Sequence, residues 1–167
     1  MVVIIMGVSG AGKTTVGQRL AKRLGWHFLE GDAFHPPVNV ERMTAGKALT
    51  DADRAPWLDA LHTRLVTMST GGQPVILACS ALKEAYRRRL SDGLDEVHFV
   101  YLCGSTALLR KRLNDRLGHY MPTSLLHSQL DTLEVPNDAL EIDIALSVNE
   151  ITGLIIENVK MWQRARH

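Results

Sequence analysis

Cysteine is scarce in this chain: Cys79 and Cys103 are the only two in 167 residues, and each closes an apolar run. Such a pair builds no secreted disulfide framework. Free cysteines in that setting act as small buried hydrophobes. The 7 histidines include no H-x-x-x-H pair and none with a cysteine at zinc-ligand spacing, which argues against a structural metal. An excess of charge of one sign is also lacking, since 19 Lys and Arg against 18 Asp and Glu leave a net charge of +1. No global field exists to attract nucleic acid or an anionic membrane. The apolar run nearest the N-terminus, Val2 to Met6, is far shorter than the ~20 residues of a membrane span and lacks the layout of a signal peptide. The expectation is a soluble, unprocessed cytoplasmic protein without a nucleic-acid or membrane partner.

With 46% hydrophobic and 22% charged residues, the chain reads as one domain over residues 1–167. At this length roughly two thirds of the unfolded surface can be buried, so the core needs no metal or disulfide to supplement it. There is no internal repeat, low-complexity segment or linker.

Val2 to Met6 is continuous and rich in β-branched residues, the pattern of a central parallel strand. Val16, Leu20, Ala21 and Leu24 fall at helical spacing over Lys13 to Leu24, and Gly25 stops that helix. Trp26 to Glu30 reads as a second strand. Residues 31–49 are rich in Gly, Pro and Asn, and Pro36-Pro37 predicts a loop-rich excursion, which extends to about residue 72. Thr50 and Asp53 resemble a capping box ahead of a helix whose inward face is Trp57, Leu58, Leu61, Leu65 and Met68. Pro74 to Cys79 predicts a strand, Leu82 to Leu90 a helix, Val97 to Leu102 a strand and Thr106 to Leu117 a basic helix. A helix over Ser124 to Leu133, a fifth strand over Ile142 to Val148 and a last helix with Ile151, Leu154, Ile155, Val159 and Trp162 inward complete the chain. Strands alternating with helices predict an α/β three-layer sandwich, with a five-stranded parallel sheet and helices on both faces.

Directly after the first strand stands GVSGAGKT, Gly7 to Thr14, a full match to G-x-x-x-x-G-K-[ST] in the strand-to-helix context that the motif requires. Its glycines allow a tight turn with N–H groups aimed inward, and the following helix N-terminus adds positive potential. Candidate nucleotide-binding residues are Gly7, Ser9, Gly10, Ala11, Gly12, Lys13, Thr14 and Thr15. Lys13 can reach the β- and γ-phosphates of ATP and the Thr14 hydroxyl can ligate Mg2+. A plain glycine turn would need neither side chain. The string Ser69-Thr70-Gly71-Gly72-Gln73 is similar to a transporter-ATPase signature, but it lies between a helix and a strand, and the strand after it ends in Cys79-Ser80 where such ATPases carry acids. It reads as a helix stop.

Nothing matches the guanine-reading N-K-x-D motif. The second strand ends in Glu30-Gly31-Asp32, which puts Asp32 at the carboxyl edge of the sheet beside the phosphate loop. There it could orient or deprotonate an acceptor hydroxyl; the alternative is a loop-capping aspartate.

The strings GD-AFHPPVNVERMTAGKALTDADRAPWL, CSALKEAYRR and GHYMPTSLLHSQLDTLEVP resemble the gluconate kinases of the shikimate-kinase-like P-loop group over nearly the whole chain. The resemblance implies a P-loop kinase that phosphorylates D-gluconate at its terminal hydroxyl with Mg-ATP. It implies a lid over about residues 117–135. Asp32 and His35 would meet the sugar acid and Arg54 would grip its carboxylate, a task suited to the guanidinium fork. Lys83 and Arg87, four apart on one expected helix face, could address the acceptor. Arg116 would clamp the transferring phosphoryl from the lid, Arg112 and residues near Val148-Asn149 would lie by the adenine, and His119 and Gln129 match positions near the substrate. A homodimer is implied only by family habit. The alternatives are a kinase for shikimate, a nucleoside monophosphate or another small hydroxy acid, and a nucleotide-binding regulator that transfers nothing.

Overall fold

The structure, a computed structural model, describes residues 1–115 and 123–165. Its strands are β1 (Val2–Met6), β2 (His27–Glu30), β3 (Val75–Ala78), β4 (Val97–Cys103) and β5 (Leu140–Asp143), and its helices are α1 (Lys13–Leu24), α2 (Pro37–Thr44), α3 (Asp51–Thr70), α4 (Glu84–Ser91), α5 (Thr106–Asn114), α6 (Thr123–Thr132) and α7 (Val148–Arg164). The five strands form one sheet in the order β2-β3-β1-β4-β5, and every pairing is parallel. The expected fold class therefore stands.

All of β1 is buried, which is why its sequence is apolar without alternation. Val3 and Ile5 face a cluster that includes Val16 and Leu20 of α1, Leu109 of α5, Leu126 of α6 and Ile151 and Ile155 of α7. Val2, Ile4 and Met6 face the opposite way, onto Trp57, Leu61 and Leu65 of α3 and Tyr86 and Leu90 of α4. The chain passes from β1 to strands on one side and, after β3, crosses to β4 on the other. That reversal opens a crevice at the carboxyl end of β1, where open parallel sheets bind ligands.

Several elements differ from expectation. The excursion holds helix α2, because Pro37 stands in its first turn, where a missing N–H costs nothing. Lys83 is the extended N-cap of α4, so that helix begins two residues later than Leu82. The described part of α5 ends at Asn114 with Asp115 as its C-cap. β5 covers Leu140–Asp143, and Val148 instead opens α7, whose Ser147 and Glu150 form a reciprocal capping box that outweighs the β-branched side chain. The box at Thr50 and Asp53 is formed as expected.

The excursion is tied down rather than loose. Buried Asn39 donates through Nδ2 to the Asp53 carbonyl at 2.7 Å, and Arg42 donates to the Asp53 carboxylate at 3.1 Å. Trp57, 1% exposed, donates its indole N–H to the Gly31 carbonyl at 2.8 Å. That bond satisfies the indole's polar edge while the ring fills the core, and it fastens the turn after β2 to α3. A Cβ added at Gly31 would stand 2.5 Å from the Ala78 carbonyl oxygen, too close for backbone that cannot swing aside. We expect Gly31→Ala to lower unfolding free energy by about 1–3 kcal/mol in urea denaturation; an unchanged midpoint would show that this turn relaxes freely.

Candidate active site

The phosphate loop is held open by its own backbone and by its neighbours. Gly7 has φ 141°, and a Cβ there would lie 2.7 Å from the Leu102 carbonyl oxygen, so only glycine passes between β1 and β4 at this point. Its N–H donates to the Ser80 carbonyl at 3.3 Å. Gly12, at φ 91°, is the left-handed N-cap of α1, and the first turn of that helix contains no acid. The N-terminal N–H groups of α1 thus keep their positive potential for an anion. Lys13 reaches back over the loop, its ammonium donating to the Val8 carbonyl at 3.1 Å. Thr14 and Thr15 are exposed in the first turn of α1.

Gln129 of α6 approaches from 120 positions away, its Oε1 accepting the Ser9 N–H at 2.7 Å. Arg112 of α5 donates to the Ile144 carbonyl, and its Nη1 lies 3.7 Å from the place a Cβ on Gly12 would take. Both residues therefore border the loop.

Asp32 and His35 follow β2, Asp32 within a 3-10 turn over Gly31–Phe34 and His35 at its end. One cavity is lined by Ser9 and Lys13 from the loop, by Asp32 and His35 from this turn, and by Arg54 and Gln129 from α3 and α6. Two other clefts are larger, about 450 and 300 Å³ against about 130 Å³. They contain no phosphate-loop residue, so chemistry rather than size identifies the site.

The wall of the cavity formed by His35 and Arg54 is held by packing and hydrogen bonds. The His35 ring stacks on Trp57 with centroids 4.3 Å apart and planes 12° apart. Burial pushes the His35 pKa down; the nearby Asp32 charge opposes that shift and Arg54 adds to it. The ring is then neutral at neutral pH. Its Nδ1 lies 3.5 Å from Asn39 Nδ2, and when Nδ1 accepts from that amide the donor left to the ring is Nε2–H. Arg54, 18% exposed at its side chain, donates from Nη1 to the Leu49 carbonyl at 2.6 Å and to the Tyr86 hydroxyl at 3.3 Å.

Some expected residues stand elsewhere. Arg87 is buried and donates from Nη1 to the carbonyls of Ala81 and Leu82, both at 3.1 Å. It braces the turn in which Ala81 adopts φ 43°, a left-handed conformation costly for a residue with a Cβ. Lys83 is extended rather than helical, so the two do not share a helix face, and its ammonium donates to both oxygens of Asp51 at 2.9 and 2.8 Å. Neither lines the cavity. Arg116 and His119 lie outside the described residues. Ser80 and Lys47 line the cavity without having been singled out, and so does Trp57, which helical spacing marks only as a core residue. Trp57 and Lys47 lie inside the strings that carry the resemblance, but their use as a wall depends on the packing of the excursion. Cys79 is buried as expected, and burial pushes its thiol up to about 12. Cys103 is only half-buried, with Sγ 3.4 Å from Glu141 Oε1.

A family model described as an AAA domain matches residues 2–136. The chain is 56% identical over 135 residues to a gluconokinase of Gluconobacter oxydans, covering 81% of this chain and 76% of that protein. It is 45% identical to a probable gluconokinase of Xenopus tropicalis over 96% of this chain and 92% of the other. This chain belongs to the gluconokinase family. The crystal structure of a gluconokinase from Sinorhizobium meliloti superposes with a TM-score of 0.83 at 41% identity, covering 95% of both chains. Membership in the gluconokinase family makes the protein a small-molecule kinase, and no helix among the described residues is long and apolar enough to cross a membrane.

The lowered pKa of His35 has a consequence for stability. The unfolded chain takes up a proton near the ordinary value of 6.5, whereas the folded chain resists it until lower pH. Folding stability from this group is therefore complete above 6.5 and is lost as pH falls through the interval down to the folded value. Half-buried His98 shifts in the same direction, chiefly through burial. In melting curves from pH 8 to pH 5, His35→Asn should lose stability less steeply than the parent below pH 6.5; parallel curves would show that His35 titrates as a free residue.

Proposed function

We propose that this protein transfers the γ-phosphoryl group of ATP to the terminal hydroxyl of D-gluconate, giving 6-phosphogluconate. The observation that carries this reading is the single cavity with Lys13 and Ser9 on one wall and Asp32, His35 and Arg54 on another. A phosphoryl donor held by the first wall and a hydroxy acid held by the second would meet between them.

The roles follow from the chemistry of each group. The amides of Gly7 to Thr14 and the α1 N-terminus hold phosphate, and the Lys13 ammonium offsets charge on the transferring group. Arg54 binds the carboxylate at the far end of the acid. Neutral His35, fixed on Trp57, donates to a hydroxyl without adding a charge. Asp32 orients the terminal hydroxyl and accepts its proton. Hard oxygen donors suit Mg2+; Thr14 offers its hydroxyl there, and when bound the ion neutralises phosphate charge. The Ser9 N–H now held by Gln129 borders the space between the reactants. Arg116 and His119 are proposed to act from the lid, Arg116 as a clamp on the phosphoryl. Gln129 and Arg112 are proposed to border the acceptor and the nucleotide respectively. The reading carries with it a cytoplasmic location and the homodimer implied by the resemblance, checked by fractionation and light scattering.

ADP release measured across gluconate, other sugar acids, shikimate and nucleosides tests the assignment. Gluconate-dependent turnover is expected, and ATP consumption indifferent to every acid would replace the kinase with a nucleotide-binding regulator. Lys13→Met should fold and lose turnover. Asp32→Asn should keep gluconate binding and lower single-turnover rate by about 10²–10⁴, toward the lower end if the transition state is loose. Arg54→Ala should raise the gluconate KM by roughly one to two orders of magnitude, the worth of a charged hydrogen bond of about 1.5–3 kcal/mol, with the ATP KM unchanged.

A further inference from the structure

A carboxylate stands close to the guanidinium that is to bind a carboxylate. Asp51 Oδ1 is 3.9 Å from Arg54 Nη1, one helical turn away at i,i+3. An acid in that position is a built-in competitor for the acceptor anion: swung fully onto Arg54, it would occupy the fork and cancel its charge. The structure shows Asp51 engaged elsewhere. Lys83, from the N-cap of α4, donates to both of its oxygens at 2.9 and 2.8 Å, and the Tyr86 hydroxyl donates to Oδ1. The Tyr86 hydroxyl also accepts from Arg54 Nη1 at 3.3 Å. Lys83 Nζ and the Arg54 guanidinium carbon each lie 5.7 Å from the centre of the Tyr86 ring. Among the described residues, the hydrogen bonds of the Arg54 side chain, to Leu49 and Tyr86, are both made from Nη1.

From this arrangement we infer that Lys83 and Tyr86 are positioning residues: they hold Asp51 at 3.9 Å from Arg54, beyond hydrogen-bond reach, so that the guanidinium fork stays available for the acceptor's carboxylate. This rests on the reading of Arg54 as the group that binds the acid. It departs from the expectation that Lys83 touches the acceptor itself, and gives its charge a target 32 positions earlier in the chain. The Asp51 carboxyl sits below the usual carboxylate range, chiefly because of its hydrogen bonds from Lys83 and Tyr86. It is thus ionised, and able to compete, across the neutral range.

The inference makes an epistatic prediction that direct substrate contact does not. Lys83→Met frees Asp51 and should raise the gluconate KM by about three- to tenfold, the range of one net hydrogen bond, with kcat and the ATP KM retained. Asp51→Asn removes the competing charge, so the double variant Lys83→Met/Asp51→Asn should return the gluconate KM to within about twofold of the parent. In an Arg54→Ala background, Lys83→Met should have no further effect. Lys83 and Asp51 have side chains 30% and 62% exposed, so the substitutions leave the core untouched, and melting temperatures taken on the same preparations verify folding. A raised KM that Asp51→Asn fails to relieve would overturn the inference in favour of direct contact by Lys83. An unchanged KM in Lys83→Met, with Arg54→Ala impaired, would overturn it and leave the Arg54 reading standing. An unchanged gluconate KM in Arg54→Ala would remove the Arg54 reading, and the inference with it.

Discussion

Backbone N–H groups hold a phosphate well only if they are in place before it arrives, because ordering a loop on binding would consume much of the affinity. In this protein that order comes from the junction at Gly7. The strand before it is buried on both faces, its amide is tied to the Ser80 carbonyl on β3's exit, and its missing Cβ lets the chain pass against the Leu102 carbonyl of β4. Three neighbouring strands thus locate one turn. Lys13 and the first turn of α1 inherit their places from it, and so does the cavity beside them.

The second wall depends on a different device. The turn carrying Asp32 and His35 cannot be rigid by itself, since a four-residue 3-10 turn over Gly31–Phe34 has few internal bonds. Trp57 makes it so, with its indole N–H on the Gly31 carbonyl and its ring under His35. Because Trp57 and Arg54 belong to the same helix, one element carries both the group proposed to bind the carboxylate and the support beneath the turn of Asp32 and His35. The capping box at Thr50 and Asp53 and the anchor from Asn39 hold the start of that helix against the excursion. The proposed acceptor contacts then stand on a frame fixed by packing and hydrogen bonds, the condition under which a small number of polar contacts discriminate well.

Arg87 illustrates how charge in a sequence misleads. In the run Arg87-Arg88-Arg89 it looks like a solvated or substrate-facing residue. In the fold it is buried on the carbonyls of a left-handed turn, and its neighbours Arg88 and Arg89 pair with Glu84 and Asp59 at the surface. The turn it braces carries Ser80, which lines the cavity and holds Gly7, so its charge serves the site through backbone geometry.

What the amino-acid sequence determined by itself was local. The phosphate-loop motif, the helix caps at Thr50 and Gly25 and the alternation of strand and helix are each legible in residue type and spacing over short stretches of chain. The end of the second strand put Asp32 beside that loop, and family resemblance extended the reading to His35, Arg54 and Gln129, which line one cavity with it, and to Lys83 and Arg87, which do not. Only the tertiary structure decided which charges meet. Gln129 finds the Ser9 amide across 120 positions, and Lys83 and Tyr86 find Asp51 across 32 and 35. These encounters follow from sheet order and helix packing: β3 lies beside β1, and α3 and α4 pack together on one face. Periodicity cannot express such a pairing, because the energy that selects it is spread over the whole core rather than written in the residues that touch.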